Sequence, residues 1–369
     1  MDINNAVLKH EEKAVFALRS LYQTYGYSQY KMSKFEEYDL YVRNKNFLVS
    51  DNIITFTDTD GKLMALKPDV TLSIIKNSKD VPGCVEKVYY NENVYRVSKG
   101  THSYKEIMQT GLECIGDIDN YSIYEVLMLA AESLALVSNE YVLDVSHLDI
   151  VSEVMEAVGV SDEAKKEILK CIGEKNLHGI SAICENEGKD GEKLRRLVST
   201  YGAPKQVLPV LRELVGESVA LMQLEQILDA LTASGMGDKI QIDFSVINDM
   251  NYYNGFVFKG FINGLASGVL SGGQYDNLMS KMGRRSRAIG FALYLDMLEQ
   301  LEQNDREYDV DAVILYEDGC DLAALNGAVR LLTSNGKSVM AQKSVPEKLH
   351  YKQLLKLQDR GVEIIENNA

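Results

Sequence analysis

The sequence predicts an α+β protein, in which a largely antiparallel sheet is flanked by helices and is followed by a small C-terminal α/β domain. Three observations lead to this fold class. Strand-like segments between residues 52–115 and 240–274 are bracketed by helices and do not alternate regularly with them, as they would in a βαβ fold. Residues 151–235 have helical periodicity throughout. Residues 308–369 alternate short apolar strands with helices.

The N-terminal part begins with a helix and continues mainly as strands. Apolar side chains recur at helical spacing over residues 5–25, and Gly26 suits the left-handed position that ends a helix. A β-branched run at 52–57, the turn Thr59-Asp60-Gly61 and the segment 62–66 predict a hairpin. Further strands are predicted at 85–90, 94–97 and 106–115, before a long helix at 122–138.

The segment 151–235 is predicted to be a helical insertion, because strand signals are missing from it and glycines punctuate it. It carries no motif that indicates a function, and a packed helical module is the simplest interpretation. Strands are predicted to return at 240–246, 255–262 and 268–274, followed by a helix at about 288–303.

The C-terminal segment is predicted to be a βαβαβ unit with a parallel sheet. Its first strand, helix and second strand are expected at 312–315, 322–332 and 338–341. Ser344 and Glu347 have capping-box spacing and predict a second helix, and a last strand is expected at 362–365. The predicted domains are therefore a core of residues 1–150 and 236–303, an insertion at 151–235 and a small domain at 308–369.

Composition limits the classes of function. The chain of 369 residues carries 39 basic and 54 acidic residues, a net charge of −15, which disfavours extensive contact with nucleic-acid phosphates. No apolar segment reaches the ~18 residues of a membrane helix, and no secretory signal is visible, so a cytoplasmic protein is expected. The cysteines are five in number, widely spaced and without a CxxC pair, and the histidines do not cluster. No metal site, cofactor or disulfide framework is therefore predicted.

Four segments carry a family resemblance, and the first is Ala65-Leu66-Lys67-Pro68-Asp69-Val70-Thr71. It is similar to the LRPEGT element of the histidyl-tRNA synthetase family of class II synthetases. That resemblance implies that Asp69 and Thr71 hold the α-amino group of histidine, and a carboxylate with a hydroxyl suits an ammonium group. A strand-to-helix cap is an equally weighted interpretation of the two residues.

The second segment resembles motif 2 of class II synthetases and comprises Val94-Tyr95-Arg96 and residues 105–116. By this resemblance Arg96 grips the carboxylate and α-phosphate of an aminoacyl group, and Gln109 and Glu113 line a histidine pocket. Gln109 and Glu113 are four residues apart on a predicted strand and so share one face. Paired polar groups on an inner face are costly unless they meet a ligand or each other, which favours a pocket over a surface.

The third segment, residues 247–255, resembles the histidine-specific RGLDYYT element but differs at its charged positions. Asn248 stands at the arginine position and Asn251 at the aspartate position. A neutral amide cannot supply the electrostatic stabilisation that the arginine gives during adenylation. Tyr252 and Tyr253 stay as candidate pocket walls, against the alternative that one is a core residue and the other an edge residue.

The fourth segment is similar to GGRYD and to motif 3, and here too the cationic positions are neutral. Gln274 replaces the GGRYD arginine, and Met297 falls at the arginine that clamps the γ-phosphate of ATP. Methionine offers neither a charge nor a hydrogen-bond donor. Ser33 stands at the motif 1 proline, so the class II dimer is expected with an altered local geometry.

These departures predict a class II synthetase-like fold that has lost its ATP chemistry and kept its amino-acid pocket. The chain resembles most closely the non-synthetase relatives of the family, the regulatory subunits of ATP phosphoribosyltransferase. The resemblance implies a short-form catalytic partner, a homodimer within a hetero-octamer, control of the first step of histidine biosynthesis, and no tRNA or membrane partner. Histidine is a possible ligand of this chain or of the subunit interface. The alternatives are a histidyl-tRNA synthetase and a synthetase-like paralogue.

Overall fold

The structure is a computed structural model that describes residues 10–44, 53–98, 102–247, 253–301, 308–358 and 361–368. The chain divides into two compact units, Met1–Leu301 and Glu302–Ala369, and each is described by itself.

Helices and strands of the first unit follow in chain order. Its helices are α1 (His10–Thr24), α2 (Tyr38–Arg43), α3 (Thr71–Asn77), α4 (Asn120–Val137), α5 (Leu148–Val158), α6 (Asp162–Gly173), α7 (Leu177–Asn186), α8 (Glu192–Ser199), α9 (Pro204–Val215), α10 (Val219–Ala233) and α11 (Asp276–Lys281). Its strands are β1 (Ser28–Gln29), β2 (Phe35–Glu37), β3 (Thr55–Thr57), β4 (Leu63–Leu66), β5 (Val85–Val97), β6 (Tyr104–Gly116), β7 (Tyr141–His147), β8 (Tyr201–Gly202), β9 (Ile240–Asp243), β10 (Asn254–Ile262), β11 (Leu270–Gln274) and β12 (Arg287–Tyr294). Short 3₁₀ helices span Gly237–Lys239 and Leu295–Leu301.

A nine-stranded sheet in the order β1-β5-β6-β12-β11-β10-β7-β9-β8 organises this unit. Its six consecutive strands from β5 to β7 are antiparallel to their neighbours, whereas β1 pairs with β5 and β9 pairs with β7 in parallel. A separate antiparallel sheet has the order β2-β4-β3. The α+β prediction is therefore confirmed.

Side chains of β6 point alternately to the two faces of the sheet. One face packs on the main apolar core, and the other, which carries Gln109 and Glu113, is called the functional face. Leu112 and Cys114 belong to the main apolar core together with α1 and α4. Gln109 and Glu113, at odd positions of the same strand, are buried polar side chains that lie on the opposite face. The predicted sharing of one face by these two residues is confirmed.

Helices α5–α10 pack into the same core as α1 and α4, because buried residues from all of them form one apolar cluster. Strand β8 lies within this segment and pairs with β9, so the segment also extends the sheet. Sequence patterns did not indicate this strand, which is only two residues long.

Most predicted elements of the first unit are present, but two predicted strands are a single strand and one predicted helix is a strand followed by a 3₁₀ helix. The strands predicted at 85–90 and 94–97 form the single strand β5. The helix predicted at about 288–303 is wrong, because its first part is β12 and a 3₁₀ helix follows. Strand β12 lies between β6 and β11, and an apolar run that is covered on both faces has no period that distinguishes a strand from a helix.

The second unit is built from β13 (Val310–Leu315), α12 (Leu322–Ser334), β14 (Val339–Gln342), β15 (Tyr351–Gln358) and β16 (Gly361–Asn367). Its sheet has the order β14-β13-β15-β16, and β16 is antiparallel to β15. The second helix predicted here is therefore wrong, and the sheet is mixed rather than parallel. Pairing of β15 with β13 buries Leu354 and Leu355 and overrides the local capping signal.

Candidate functional site

Glu113 stands at the centre of a cluster of polar side chains on the functional face of the sheet. The side chain is buried, and both of its oxygens accept hydrogen bonds: Oε1 from the Thr71 hydroxyl at 2.8 Å and Oε2 from the Tyr275 hydroxyl at 2.6 Å. Burial raises the pKa of Glu113 to about 8, because the loss of water outweighs these two bonds. A cationic group at this position would stabilise the ionised carboxylate.

Asp69 adds a second carboxylate beside Glu113. Its Oδ1 accepts a hydrogen bond from the backbone N–H of Leu72 at 2.9 Å, so this oxygen caps α3. Burial raises the pKa of Asp69, while the Leu72 N–H and the charge of Arg96 oppose the increase. The carboxylate of Asp69 in turn adds to the elevated pKa of Glu113. The capping interpretation of Asp69 is therefore confirmed, and the same side chain also contributes negative charge to the cluster.

Arg96 brings a positive charge to the same cluster. Its Nε donates to the carbonyl oxygen of Pro68 at 3.1 Å, and its guanidinium contacts the hydroxyl of Tyr294. The Arg96 charge acts on Asp69, Tyr253 and Tyr294, which lie around it. Two acids next to one arginine match the ammonium and the carboxylate of a free amino acid.

Tyr253 forms part of the same cluster, and glycines provide the space that it needs. Burial raises the pKa of Tyr253 well above its ordinary value, with contributions from Tyr294 and Glu113. A Cβ at Gly273 would lie 2.6 Å from the Tyr253 ring, so only glycine admits the ring at this distance. The double glycine of β11 thus marks close packing within a strand, and the register irregularity of this ladder lies on the facing strand β10, between Asn254 and Val257.

Gly290 allows the Glu113 carboxylate to lie flat against β12, and its substitution is expected to destabilise the fold. A Cβ at Gly290 would overlap Oε2 of Glu113 and the carbonyl oxygen of Leu112. We expect Gly290→Ala to lower the free energy of unfolding by ~1–3 kcal/mol in urea denaturation. Gly173→Ala is the control, because the space around that helical residue is open and the change should gain ~0.5 kcal/mol. Equal stability of the two variants would contradict the packing described here.

The remaining predicted residues lie at the edge of this cluster or outside the described residues. Gln109 is buried on β6, and its register partners are Glu92 and Tyr294. At the strand rise it stands ~13 Å along β6 from Glu113. Its neighbour Glu92 forms an ion pair with the fully buried Lys67. Tyr252, Asn248 and Asn251 lie outside the described residues.

Gln274 and Met297, two of the three neutral residues at family arginine positions, are described by the structure, and both are engaged in local contacts. Gln274 is buried, and its Oε1 accepts the backbone N–H of Phe256 at 2.8 Å. A Cβ at Gly255 would overlap this Oε1, and Gly255 has a φ of +56°. Met297 is half-buried and its sulfur accepts from the Ser267 hydroxyl at 3.3 Å. Neither side chain provides a positive charge for a phosphate.

Three tyrosines of the cluster were not selected from the sequence. Tyr275 follows Gln274 directly and donates to Glu113, and Tyr294 contacts Arg96. Tyr90 is fully buried, and a Cβ at Gly111 would lie 2.6 Å from its hydroxyl. The position of Tyr275 beside the double glycine was an available signal, whereas Tyr90 and Tyr294 sit in ordinary strand patterns.

In the part of the chain that the structure describes, no three His, Cys, Asp or Glu side chains are grouped as a metal site would require. Over the same residues, no helix has the length and apolar character needed to cross a membrane.

Known proteins of one family are similar to this chain in sequence. The sequence profile of the family described as "Histidyl-tRNA synthetase" matches residues 1–298. A protein of Oceanobacillus iheyensis named "ATP phosphoribosyltransferase regulatory subunit" is 26% identical over 88% of this chain and 82% of its own length. A protein of the same name from Ruminiclostridium cellulolyticum is 27% identical over 81% of this chain and 75% of its own length.

Solved structures show the same fold. An "ATP phosphoribosyltransferase regulatory subunit/histidyl-tRNA synthetase" from Bacillus halodurans superposes with a TM-score of 0.73, at 23% identity, over 93% of this chain and 90% of that one. A histidyl-tRNA synthetase from Nostoc sp. PCC 7120 has a TM-score of 0.70 at 17% identity, covering 96% and 92% of the two chains. An "ATP phosphoribosyl transferase (HisG:HisZ) complex" from Thermotoga maritima has a TM-score of 0.63 at 18% identity, covering 80% and 98%. The predicted class II synthetase-like fold is therefore confirmed.

Proposed function

The chain belongs to the histidyl-tRNA synthetase family, and from this membership we propose that it is the non-catalytic regulatory subunit of an ATP phosphoribosyltransferase. In this role it joins a short-form catalytic subunit that condenses ATP with phosphoribosyl pyrophosphate in the first step of histidine biosynthesis. It is required for that activity and for feedback inhibition by histidine. The names of its curated relatives support the assignment. A cytoplasmic location follows from the role.

The observation that carries the proposal is a difference between the two halves of the site: one half keeps its charged residues, and the other half has neutral residues in their place. The half that would meet an amino acid keeps two carboxylates and an arginine in one cluster. The half that would meet ATP has Gln274 bonded to the backbone and Met297 bonded to a serine. Adenylation needs fixed positive charge where the phosphates develop negative charge, and neither residue supplies it.

In the proposed sensor site, histidine is held as a zwitterion. Its ammonium group donates to Glu113 and Asp69 with the Thr71 hydroxyl nearby, and its carboxylate lies against Arg96. Tyr253, Tyr252 and Gln109 complete the pocket around the imidazole. The geometric support is that Glu113 already receives two directed hydroxyl donors, which hold its carboxylate in one orientation.

Histidine affinity is expected to increase with pH, because free Glu113 must lose a proton before it can pair with an ammonium group. With a pKa of about 8 in the free protein, Glu113 is mostly protonated at pH 7 and half ionised at pH 8. We expect Kd to fall roughly fivefold between these two pH values. Isothermal titration of the wild type and of Glu113→Gln measures the effect. The variant should bind weakly and without this dependence, and a wild-type affinity that is flat or decreasing over the interval would contradict the assignment.

The assembly proposed for this chain is a homodimer within a hetero-octamer with the catalytic subunit, and tRNA is not a partner. The basic run at 284–287 is engaged within the fold, since Arg284 donates to the carbonyl oxygens of Ile75 and Lys76 and Arg287 pairs with Asp276. Residues 308–369 carry 7 basic and 9 acidic residues, which is a poor surface for an anticodon. Light scattering of the mixed subunits should give a complex that contains four 41.3 kDa chains. Separate elution of the two subunits would contradict the proposal.

A further inference from the structure

A cavity of about 610 Å³ lies on the functional face of the nine-stranded sheet beyond the Glu113 cluster. Its charged and polar lining comes from β7, β9, β10 and the end of α6, and includes Asp144, Lys175, Gln241, Asp243 and Lys259. Residues paired directly across a sheet share a face. A first row of such pairs starts at the Glu113 cluster: Glu113 pairs with Gly290, Gly290 with Gly273, and Gly273 with Val257 on β10. Lys259 is two residues after Val257 on β10 and therefore lies on the same face. It pairs with Asp144, which pairs with Gln241, and these three residues line the cavity.

Two opposite charges in this cavity face each other across the strands and do not pair. Asp144 and Lys259 are register partners in the antiparallel β7–β10 ladder, where opposite charges normally attract. Nevertheless Oδ1 of Asp144 is buried without a hydrogen-bond partner. The ammonium of Lys259 lies 5.5 Å from the centre of the Phe261 ring, and among the described residues it forms no ion pair.

Packing explains why Lys259 turns away from Asp144. The aliphatic part of Lys259 runs directly over Gly268, where a Cβ would lie 2.9 Å from Cγ and would overlap Cε. The side chain is therefore held along β10 by its stem, as amphipathic lysines often are. Both side chains line the cavity.

The other charged pair in the cavity is already satisfied. Lys175 donates to Asp243 Oδ2 at 2.7 Å, and the second oxygen of Asp243 accepts from the backbone N–H and the hydroxyl of Ser245 at 2.8 and 2.7 Å. Lys175 also lies over the Tyr201 ring, 4.5 Å from its centre. The two lysines and two aspartates give the cavity no net formal charge.

Asp144 is held in an environment that favours a cationic neighbour. Burial raises the pKa of Asp144 to about 6, the negative charge of Asp243 adds to this, and Lys175 and Lys259 oppose it. A cation bound in the cavity beside this carboxylate would act in the same direction as the two lysines and would favour its ionised form.

We propose that this cavity binds a small zwitterion of the amino-acid class, with its ammonium group on Asp144 and its carboxylate on Lys259. Asp144 and Lys259 both line the cavity and, among the described residues, form no ion pair, so their opposite charges match the two charges of such a molecule. The zero net charge of the cavity disfavours a polyanion such as a nucleotide. The volume is within the ~300–1,000 Å³ of small-molecule pockets. The site is separate from the Glu113 cluster and does not depend on the role proposed for that cluster.

The test uses the full chain with Arg96→Ala, so that the Glu113 cluster contributes little. The probes are the twenty common L-amino acids, each at 10 mM, and AMP and ATP, with binding detected by saturation-transfer NMR and quantified by titration. We expect at least one amino acid to bind and neither nucleotide to do so. In the same background, Asp144→Asn and Lys259→Met should each weaken that binding at least tenfold.

Gln223→Glu, remote from the cavity lining, is the matched control for a change of charge and should leave the binding unchanged. Thermal unfolding of each variant, followed by circular dichroism, confirms that it is folded. Absence of binding by all twenty amino acids, binding that survives both cavity substitutions, or preferential binding of AMP or ATP would each overturn the proposal.

Discussion

Histidine-dependent exchange of pyrophosphate into ATP by this chain is expected to be at least ~10⁶-fold slower than by an active histidyl-tRNA synthetase. Three positions that carry arginine in the family hold Asn248, Gln274 and Met297 here. Loss of one donor to a developing negative charge costs roughly 10²–10³ in rate, so three losses remove the activity. Radioactive pyrophosphate exchange measures it, with an authentic histidyl-tRNA synthetase as the positive control.

Restoring arginine at the two described positions is not expected to recover the exchange. Gln274 accepts the backbone N–H of Phe256 through Oε1, and an arginine has no acceptor with which to replace that bond. The double variant Gln274→Arg with Met297→Arg should therefore lose stability and stay inactive. Exchange by the wild type at a synthetase-like rate would overturn the regulatory assignment.

Arg96→Ala is expected to weaken histidine binding by roughly 30-fold or more. Arg96 is the positive charge that acts on both Asp69 and Tyr253, and its removal leaves the ligand carboxylate without a cationic partner. Truncation of one partner of a buried charge pair costs about 2–5 kcal/mol, which is the basis of this factor. Isothermal titration of the purified variant measures the change in Kd.

The matched control for this change is Arg195→Ala on α8, where the arginine forms an exposed ion pair with Glu192. It should alter Kd by less than twofold, since exposed pairs contribute little. In the complex with the catalytic subunit, Arg96→Ala should raise the histidine concentration needed for half inhibition by the same factor as Kd. Unchanged inhibition in that complex would place the histidine sensor elsewhere.

Local sequence patterns predicted two kinds of element: strands and helices with one solvent-exposed face, and elements that are bounded by recognisable turn or helix-capping residues. The hairpin of β3 and β4 follows from its turn residues, and α4 begins at an Asp119 side chain that accepts the Ser122 N–H at 2.8 Å. The failures at β12 and β15 have a common cause. Both strands lie between two others, and pairing in the sheet decided their conformation, against an ambiguous apolar run in β12 and against a helix-capping signal before β15.

The sequence predicted the charged residues of the candidate site and Tyr253, and it missed three further tyrosines, Tyr90, Tyr275 and Tyr294. Asp69, Thr71, Arg96 and Glu113 meet in one cluster, as their resemblance to family motifs implied. The double glycine pointed to the neighbourhood of Tyr275 but not to its partner, because Glu113 is 162 residues away in the chain. Contacts between residues so far apart in the chain depend on how the strands pair in the sheet, and this pairing cannot be predicted from a single sequence.

We propose that this chain regulates a catalytic partner and is not itself a catalyst. The most direct test of this proposal is the rate of ATP phosphoribosyltransfer by the short catalytic subunit of the same genome, titrated with this chain in the absence and presence of histidine. We expect a rate near background for either subunit alone, a saturable increase as the chain is added, and suppression of that increase by histidine. A catalytic subunit that is fully active alone and unaffected by the chain would contradict the account.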